Sequence, residues 1–325
     1  MLSVSKKDGN VFTLSLTNDK IWNLVEFVGY LNQHQHQDIE IRVNPEAISL
    51  ESASVYEILD QFTFNSVKIY THNLLENHPT YEIVKTWYSK WFDYKPKSDT
   101  LLHTWNMKKI FLTMFRRPSA NRLGLASYLY ANYADHSHIH FSYQNNIDTI
   151  TEFEFDKLAS YDQNSLQNVS QLLSKLPLLL YSGGSEHYNQ ANDRNFDPKE
   201  NSILYPDIFV DIVSESHVMG NTFYATEKTS RPMRLKKPFI IFASRDYLDY
   251  LHQMGFLTFG DFWSENYDGY EGRDRYLMIL ELIDSLAAKP KNELFAMYQD
   301  MQYILDHNYN LFVTQQYKTS IQKIQ

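Results

Sequence analysis

Cysteine is absent from the 325-residue sequence, which rules out disulfides, thiolate nucleophiles and sites in which cysteine binds zinc or an iron–sulfur cluster. No apolar run approaches the roughly 20 residues that a membrane-spanning helix needs. Residues 1–20 also lack the apolar segment of a secretory signal. We therefore expect a soluble, cytoplasmic protein without a membrane span.

Several motifs of well-known enzyme classes are also missing. The sequence contains no GxSxG, HExxH, Walker A or GxGxxG pattern, and no Asp-x-Asp pattern that would suggest a metal-bound diphosphate. The formal net charge of -9 disfavours a broad electrostatic grip on nucleic acid. Local clusters of arginine and lysine are consequently the features to examine.

The overall composition is that of a globular protein, with 43% hydrophobic and 21% charged residues. A length of 325 residues exceeds the roughly 250 at which a single core stops growing, so we predict two domains. The 24 tyrosines, 20 phenylalanines and 5 tryptophans are expected mainly in cores and groove walls, because each ring buries a large apolar area.

Strand and helix patterns alternate through the first hundred residues. Apolar and polar side chains alternate in the strand segments, and the helical segments show apolar side chains three or four residues apart. The patterns occupy residues 11–17 (strand), 21–31 (helix), 39–43 (strand), 49–62 (helix) and 67–72 (strand). This βαβαβ order predicts a parallel sheet.

A second alternating series follows the proline-containing segment 91–100, which we interpret as a linker. We place the boundary near residue 105, with one α/β domain over 1–105 and a second α/β domain, ending in helices, over 106–325. Its patterns are strands at 108–115, 138–143, 206–216 and 238–244, and helices at 118–133, 226–235, 247–256, 276–286 and 294–305. We expect residues 144–204 to form a long irregular segment around one helix at 165–176, and we call this segment the excursion.

Three arginines surround the end of the predicted strand at 108–115. Arg116 and Arg117 follow the strand directly, and Arg122 lies in the first turn of the next helix. Ligands of open α/β sheets bind beyond the carboxyl ends of strands, where helix N–H groups suit phosphate, and arginine binds phosphate oxygens in pairs. Because positive charge at a helix start opposes the helix dipole, we favour an anion site over a solvated helix start.

A second polar segment follows the predicted strand at 206–216. Its carboxylates offer acceptors for sugar or ribose hydroxyls, and its cations offer charge for a diphosphate. Taken alone, the same residues also form a plain capped helix start with an acidic first turn. The candidate binding residues are Glu215, Asn221, Thr226, Glu227, Lys228 and Arg231.

Residues 108–260 resemble the donor domain of the α-fucosyltransferase family and its phage-encoded relatives among the GT-B glycosyltransferases. The resemblance rests on the order of four segments, KKIFLTMFRRPSANR, FVDIVSES, NTFYATEK and RLKKPFIIFAS. Ser216 stands where the family usually has Asn, and Ala225 stands where it usually has Val, which leaves the donor open. The first hundred residues show no such match.

The resemblance implies two Rossmann-like domains with parallel sheets that face each other across a cleft, as in GT-B enzymes, with the acceptor side in residues 1–105 and the nucleotide-sugar donor-binding side in residues 106–325. It carries donor contacts over to Arg122, Glu215, Glu227 and Lys228, with Arg116, Arg117 and Arg231 as neighbours. The family also places an acidic residue after a comparable strand of the first domain. Glu76 is thus the candidate general base of an inverting transfer, and an exposed loop glutamate is the alternative.

The expected activity is sugar transfer from a nucleotide diphosphate sugar to a hydroxyl, with no metal or other cofactor, because lysine and arginine take the place of magnesium. The acceptor is a glycan, a lipid-linked sugar or, after the phage relatives, a flipped hydroxymethylated DNA base in the host cytoplasm. The alternative is a non-catalytic module that binds a nucleotide or glycan. Five histidines remain as candidate metal ligands. We expect a polar loop at His34 and His36, and a half-exposed strand at His136, His138 and His140, rather than a metal site.

Overall fold

The computed structural model describes residues 10–17, 20–21, 23–43, 48–87, 92, 105–141, 150–178, 180 and 204–324. Within these residues the chain forms two four-stranded sheets, whose paired strands all run parallel, and a small antiparallel hairpin. The predicted α/β fold of two Rossmann-like units with parallel sheets is confirmed. In the same residues, every helix is too short or too polar to cross a membrane.

The first sheet has the strand order β1-β4-β5-β6, and its core lies on the face where Ile39, Ile41 and Val43 alternate with more exposed residues. Strand β6 was not predicted. The helix predicted at 49–62 contracts to α2, because Ser54 has a left-handed backbone, with a φ of +55°, that interrupts the helix before Val55. The elements are β1 (Val11–Leu14), β2 (Leu16–Thr17), β3 (Lys20–Ile21), α1 (Leu24–Gln33), β4 (Asp38–Val43), α2 (Val55–Leu59), β5 (Ser66–Thr71) and β6 (Glu82–Lys85).

The second sheet is covered on both faces, and every residue of its strands β9 and β10 is buried. Such burial explains why these strands read as nearly continuous apolar runs. The elements are β7 (Phe111–Phe115), α3 (Ala120–Tyr133), β8 (Ser137–Phe141), α4 (Glu152–Tyr161), α5 (Gln163–Leu173), β9 (Val210–Ser214), α6 (Glu227–Arg234), β10 (Phe239–Phe242), α7 (Tyr247–Gln253), α8 (Gly272–Ala287), α9 (Lys291–Asp300), α10 (Gln302–Thr314) and α11 (Tyr317–Ile324).

The order of the second sheet, β10-β9-β7-β8, places a change of direction at its centre. From β7 the chain moves outward through α3 to β8, and from β9 it moves the opposite way through α6 to β10. Because both crossovers are expected to be right-handed, α3 and α6 cover opposite faces of the sheet. A crevice therefore opens between the carboxyl ends of β7 and β9, the position where open α/β sheets bind ligands.

Two sequence predictions for the second unit were wrong. The excursion expected to hold one helix contains two in its described part, because Leu158 and Tyr161 of α4 bury one helical face. The single helix predicted at 294–305 is divided at Met301 into α9 and α10. The described parts of residues 150–178 contact α3 and α8, so the excursion is part of the fold around α3.

The predicted linker at 91–100 lies outside the described residues, apart from Phe92. The Phe92 ring is fully buried and packs edge-on against Phe256, Phe312 and Tyr317, with centroid distances of 5.9, 5.7 and 5.3 Å. The strands of the first sheet lie within 11–85 and those of the second within 111–242. The domain boundary near residue 105 stays a prediction.

Candidate functional site

Arg122 spans the crevice from α3 to the end of β9. Its Nη2 donates to the backbone oxygens of Ser214 at 3.2 Å and Glu215 at 3.3 Å, and its Nη1 donates to that of Arg117 at 3.5 Å. The preceding Asn121 donates from its amide to the Ser214 hydroxyl. The first turn of α3 is thus bonded to the strand whose own helix covers the opposite face.

The Arg122 side chain is buried, yet it retains a donor that the described residues do not use. Burial lowers its pKa, as does the charge of Arg117, whereas Glu215, Glu227 and Glu154 act in the opposite direction. Its Nε is buried and has no hydrogen-bond partner in the described part of the chain. Buried donors are nearly always paired, and this N–H is an exception within the described residues.

Glu215, directly after β9, organises the start of α6. One carboxylate oxygen accepts from the Thr226 N–H at 3.1 Å and the Thr229 hydroxyl at 2.6 Å, and the other accepts from the Thr226 hydroxyl at 2.7 Å. Burial alone would raise its pKa, but the Lys228 ammonium and these hydrogen bonds lower the pKa below its ordinary value. Both oxygens of Glu215 are therefore occupied by protein donors.

Helix α6 begins at Glu227 because Thr226 has an extended backbone and its hydroxyl accepts from the Lys228 N–H at 3.3 Å. The Lys228 ammonium lies over this start, 2.9 Å from the Thr226 hydroxyl, 3.1 Å from a Glu227 oxygen and 3.3 Å from the Ser216 hydroxyl. It is also 3.6 Å from a Glu215 oxygen. Lys228 is thus fixed at the same turn of chain, 214–216, that Arg122 contacts.

His217 was not singled out in the sequence, and the structure shows that it shares the surroundings of these cations. Burial lowers its pKa to about 3, and the charges of Lys228, Arg122 and Arg117 act in the same direction. The imidazole is therefore neutral at physiological pH, and one ring experiences positive charge from both helix starts. No spacing or pattern in the sequence distinguished this histidine from others in a loop.

The amino end of α3 is partly covered by the excursion. A Glu154 oxygen accepts from the Ala120 N–H at 2.6 Å. The negative charge of Glu154 at the start of α3 interacts favourably with the helix dipole. It thereby offsets part of the unfavourable effect of the Arg122 charge in the first turn. An anion at this crevice would depend on the arginine and lysine side chains more than on the first N–H of α3.

Arg231 lies elsewhere, in a buried pair inside the fold. Its guanidinium bonds to both oxygens of Asp211 in the middle of β9, at 3.0 to 3.2 Å, and to the Tyr205 hydroxyl at 2.6 Å. The structure therefore does not bring its charge to the turn at 214–216. The sequence carried a signal for this pair, because an aspartate within the apolar run 208–213 needs a buried partner.

Glu76 is 4% exposed and belongs to a buried network of the first unit. Its oxygens accept from the Leu50 N–H at 3.0 Å, the Tyr56 hydroxyl at 2.8 Å and the Asn73 amide at 3.0 Å. Burial raises its pKa, although these three hydrogen bonds oppose that shift. The alternative of an exposed loop glutamate is wrong.

The other predicted residues lie near the surface. Arg117 and Asn221 are exposed, and Arg116 is half-buried. The Asn221 amide donates to the Leu75 backbone oxygen at 3.4 Å, which links it to the first unit. Arg116 and Arg117 directly follow β7, one of the two strands that border the crevice.

The histidine segments have structural partners. His34 stacks on Tyr30 at 4.1 Å, and His138 lies 3.4 Å from an Asp207 oxygen. His140 is buried, so the half-exposed strand that was predicted is more enclosed than expected. Across the described ranges, no group of three or more His, Asp or Glu side chains is arranged to hold a metal ion.

Fold and site together define an α/β protein with cations gathered at the central crevice of a parallel sheet. No protein-family model and no curated protein matches the chain.

Several solved structures are similar to the chain. One is described as trehalose-6-phosphate from E. coli bound with UDP-2-fluoro glucose. It is 10% identical to the chain, with a TM-score of 0.40, and the match covers 96% of this chain and 74% of that one. An alpha,alpha-trehalose-phosphate synthase (UDP-forming) from Burkholderia vietnamiensis is 9% identical, with a TM-score of 0.39, and the match covers 94% of this chain and 72% of that one. An alpha,alpha-trehalose 6-phosphate synthase from Burkholderia multivorans is also 9% identical, with a TM-score of 0.39, and the match covers 97% of this chain and 69% of that one. These identities and scores are low.

Proposed function

We propose that the chain is a glycosyltransferase that takes its sugar from a nucleotide diphosphate donor, and that the diphosphate binds against Arg122 and Lys228. One observation carries the proposal: the two cations, from two different helix starts, meet at residues 214–216. Arg122 bonds to the Ser214 and Glu215 backbone, and Lys228 lies 3.3 Å from the Ser216 hydroxyl.

The chemistry of the two side chains supports a diphosphate rather than a single small anion. The planar guanidinium binds phosphate oxygens in pairs, while the ammonium acts as a compact charge, so the two together suit neighbouring phosphoryl groups. Both are held in place by protein contacts, which lets them stabilise a leaving diphosphate without reorganisation. Their clustering in a chain of net charge -9 favours an anionic ligand at this crevice.

The proposal gives the predicted residues different roles. Glu227 offers its half-buried carboxylate to donor hydroxyls, and Arg116 and Arg117 add charge at the entrance. Glu215 and Thr226 are positioning residues, because their side chains hold α6 and the Lys228 ammonium. Arg231 stabilises the fold through Asp211, and Asn221 belongs to the loop that contacts the first unit.

We infer transfer without a metal, since Arg122 and Lys228 supply the charge that magnesium would otherwise bring. An inverting reaction requires a base beside the acceptor hydroxyl. Glu76 serves as that base only if its hydrogen bonds with Leu50, Tyr56 and Asn73 open when the acceptor binds. The acceptor is a glycan, a lipid-linked sugar or a hydroxymethylated DNA base.

The test is calorimetric titration of the wild-type chain with UDP, GDP, ADP and dTDP, followed by hydrolysis assays with sugars carried on the nucleotide that binds. We expect one nucleotide to bind and its sugar to be released slowly. Lys228→Ala should weaken binding by about tenfold to a hundredfold, the effect of losing a hydrogen bond to a charged group.

The matched control is Lys236→Ala, because the Lys236 ammonium pairs with Asp306 at 2.6 Å, away from the residues at 214–216. It should bind as the wild type does. A wild-type chain that binds none of the nucleotides contradicts the proposal. Binding without hydrolysis or transfer to any acceptor would instead favour the non-catalytic module.

A further inference from the structure

Asn73 is a fully buried side chain at the contact between the two units. Its amide nitrogen donates to a Glu76 oxygen at 3.0 Å and to the backbone oxygen of Asn221 at 2.8 Å. Its amide oxygen accepts from the backbone N–H of Leu75 at 3.2 Å and of Phe223 at 3.0 Å. All the hydrogen-bonding capacity of this amide is used, half of it in each unit.

The segment that Asn73 contacts is the loop between β9 and α6, residues 215–226. The two ends of this loop hold the Lys228 ammonium, through the Ser216 hydroxyl at one end and the Thr226 hydroxyl at the other. Between these ends, Asn73 donates to the Asn221 backbone oxygen and accepts from the Phe223 backbone N–H. A displacement of the loop would therefore displace the partners of Lys228.

A second contact brings the same loop against the first unit. Gly220 has a φ of +72°, and a Cβ added to it would lie 2.6 Å from the Ser52 hydroxyl. On the side of the second unit, the Ser244 hydroxyl donates to the Thr222 backbone oxygen. The loop is held between both units, and Asn73 supplies two of its hydrogen bonds.

From these contacts we propose that Asn73 is a positioning residue for the diphosphate site: it fixes the loop that holds Lys228, and thereby makes donor binding depend on the first unit. The inference rests on the proposed function, because it assigns Lys228 to the donor. Asn73 itself is buried and acts only through Asn221 and Phe223.

The experiment compares Asn73→Ala and Asn73→Asp with the wild type by nucleotide titration and by hydrogen exchange of the intact chain. Asn73→Asp is the harsher change: it keeps the acceptor for Phe223 and Leu75, but it replaces the donor to Asn221 and Glu76 with an oxygen and buries a second carboxyl group beside Glu76. We expect nucleotide affinity to fall by about tenfold in Asn73→Ala, corresponding to lost hydrogen bonds and a less ordered loop. Amides at 216–226 should exchange faster in both variants without nucleotide.

Asn308→Ala is the matched control for a loss of stability alone. Asn308 is also buried, and its amide exchanges two hydrogen bonds of 2.8 Å with the backbone of Leu257, entirely within the second unit. This variant should lower the midpoint of thermal unfolding, as Asn73→Ala does, and leave nucleotide affinity unchanged.

The outcomes separate the two proposals. A wild-type chain that binds no nucleotide overturns the proposed function and this inference with it. If the wild type binds, unchanged affinity and unchanged exchange at 216–226 in folded Asn73 variants overturn the inference alone. Equal losses of affinity in Asn308→Ala and Asn73→Ala would also overturn it, because a general loss of stability would then explain the effect.

Discussion

Arg122 donates to the backbone oxygen of Glu215 across the crevice, with 3.3 Å between Nη2 and that oxygen. The Glu215 side chain in turn accepts from the N–H and the hydroxyl of Thr226, the cap of α6. One residue therefore joins the start of α3 to the start of α6. Both helix starts, and with them Arg122 and Lys228, are thus tied to the residues at the end of β9.

Arg122→Lys should weaken nucleotide diphosphate binding by about tenfold to a hundredfold although the charge is kept. The ammonium has three N–H donors in place of the five of the guanidinium, so bonds to the Arg117, Ser214 and Glu215 oxygens would leave none for a phosphate. Calorimetric titration with the nucleotide that the wild type binds measures the change. Arg273→Lys, at an exposed arginine beside Asp274, is the control and should bind normally. Equal affinities for all three proteins would remove Arg122 from the site.

Glu215→Gln should lower the free energy of unfolding at neutral pH by about 1 to 3 kcal/mol, because charge-assisted hydrogen bonds are lost. The pKa of Glu215 is lowered in the folded state, so its contribution is complete above the unfolded pKa, about 4.3, and is lost as pH falls below that value. Urea titrations between about pH 6 and about pH 3 should show the difference from wild type shrinking. A difference that stays constant with pH would contradict this account.

Glu76→Gln should fold and gain stability relative to the wild type as pH rises. The pKa of Glu76 is raised in the folded state, so the stability it contributes below the unfolded pKa is lost as pH rises through the folded pKa. Glutamine oxygen can accept from Leu50 and Asn73, while its nitrogen donates to a rotated Tyr56 hydroxyl. Urea titrations at several pH values measure the effect.

The same variant tests the base assigned from the resemblance. Both Glu76 oxygens accept from protein donors, so we expect Glu76→Gln to keep donor binding and sugar transfer. Loss of transfer with unchanged donor affinity would identify Glu76 as the general base. The stability measurement does not depend on that outcome.

Gly220→Ala should lower the free energy of unfolding by at least about 1 kcal/mol, because alanine is strained at positive φ. Its Cβ would also lie 2.6 Å from the Ser52 hydroxyl of the first unit. Adding Ser52→Ala should recover part of the loss, since it removes the contact and leaves the backbone strain. The control is Gly29→Ala in α1, where a Cβ meets nothing within 4 Å and helix propensity predicts a gain. Thermal and urea unfolding rank the stability of four proteins: the wild type, Gly220→Ala, Gly220→Ala combined with Ser52→Ala, and Gly29→Ala.

The strands and the two helix starts could be predicted because their signals are local. The apolar runs at 111–115, 210–214 and 239–242 reflect burial on both faces, and Thr226 is a cap whose effect is limited to the next turn. The place of Arg122 in a first turn favoured it as a phosphate ligand, whereas Lys228 depended on the family resemblance as well. The structure puts both at the end of β9.

Long-range contacts could not be predicted in the same way. Glu154 bonds to Ala120 from within a segment expected to be irregular, and Glu76 is buried because Leu50, Tyr56 and Asn73 converge on it from other parts of the chain. Arg231 resembled its neighbours in sequence, but one turn of α6 directs it to Asp211 instead of the crevice. Such partners depend on how elements pack, which spacing along the chain does not encode.

Phe92 affects how the chain can be divided for experiments. By sequence it belongs to the segment between the two sheets, yet its buried ring completes an aromatic cluster with Phe256, Phe312 and Tyr317. Loss of a buried phenylalanine costs about 3 to 5 kcal/mol, a large share of the stability of an ordinary domain. An expression fragment carrying only the second sheet should therefore start upstream of Phe92, not at the boundary near residue 105.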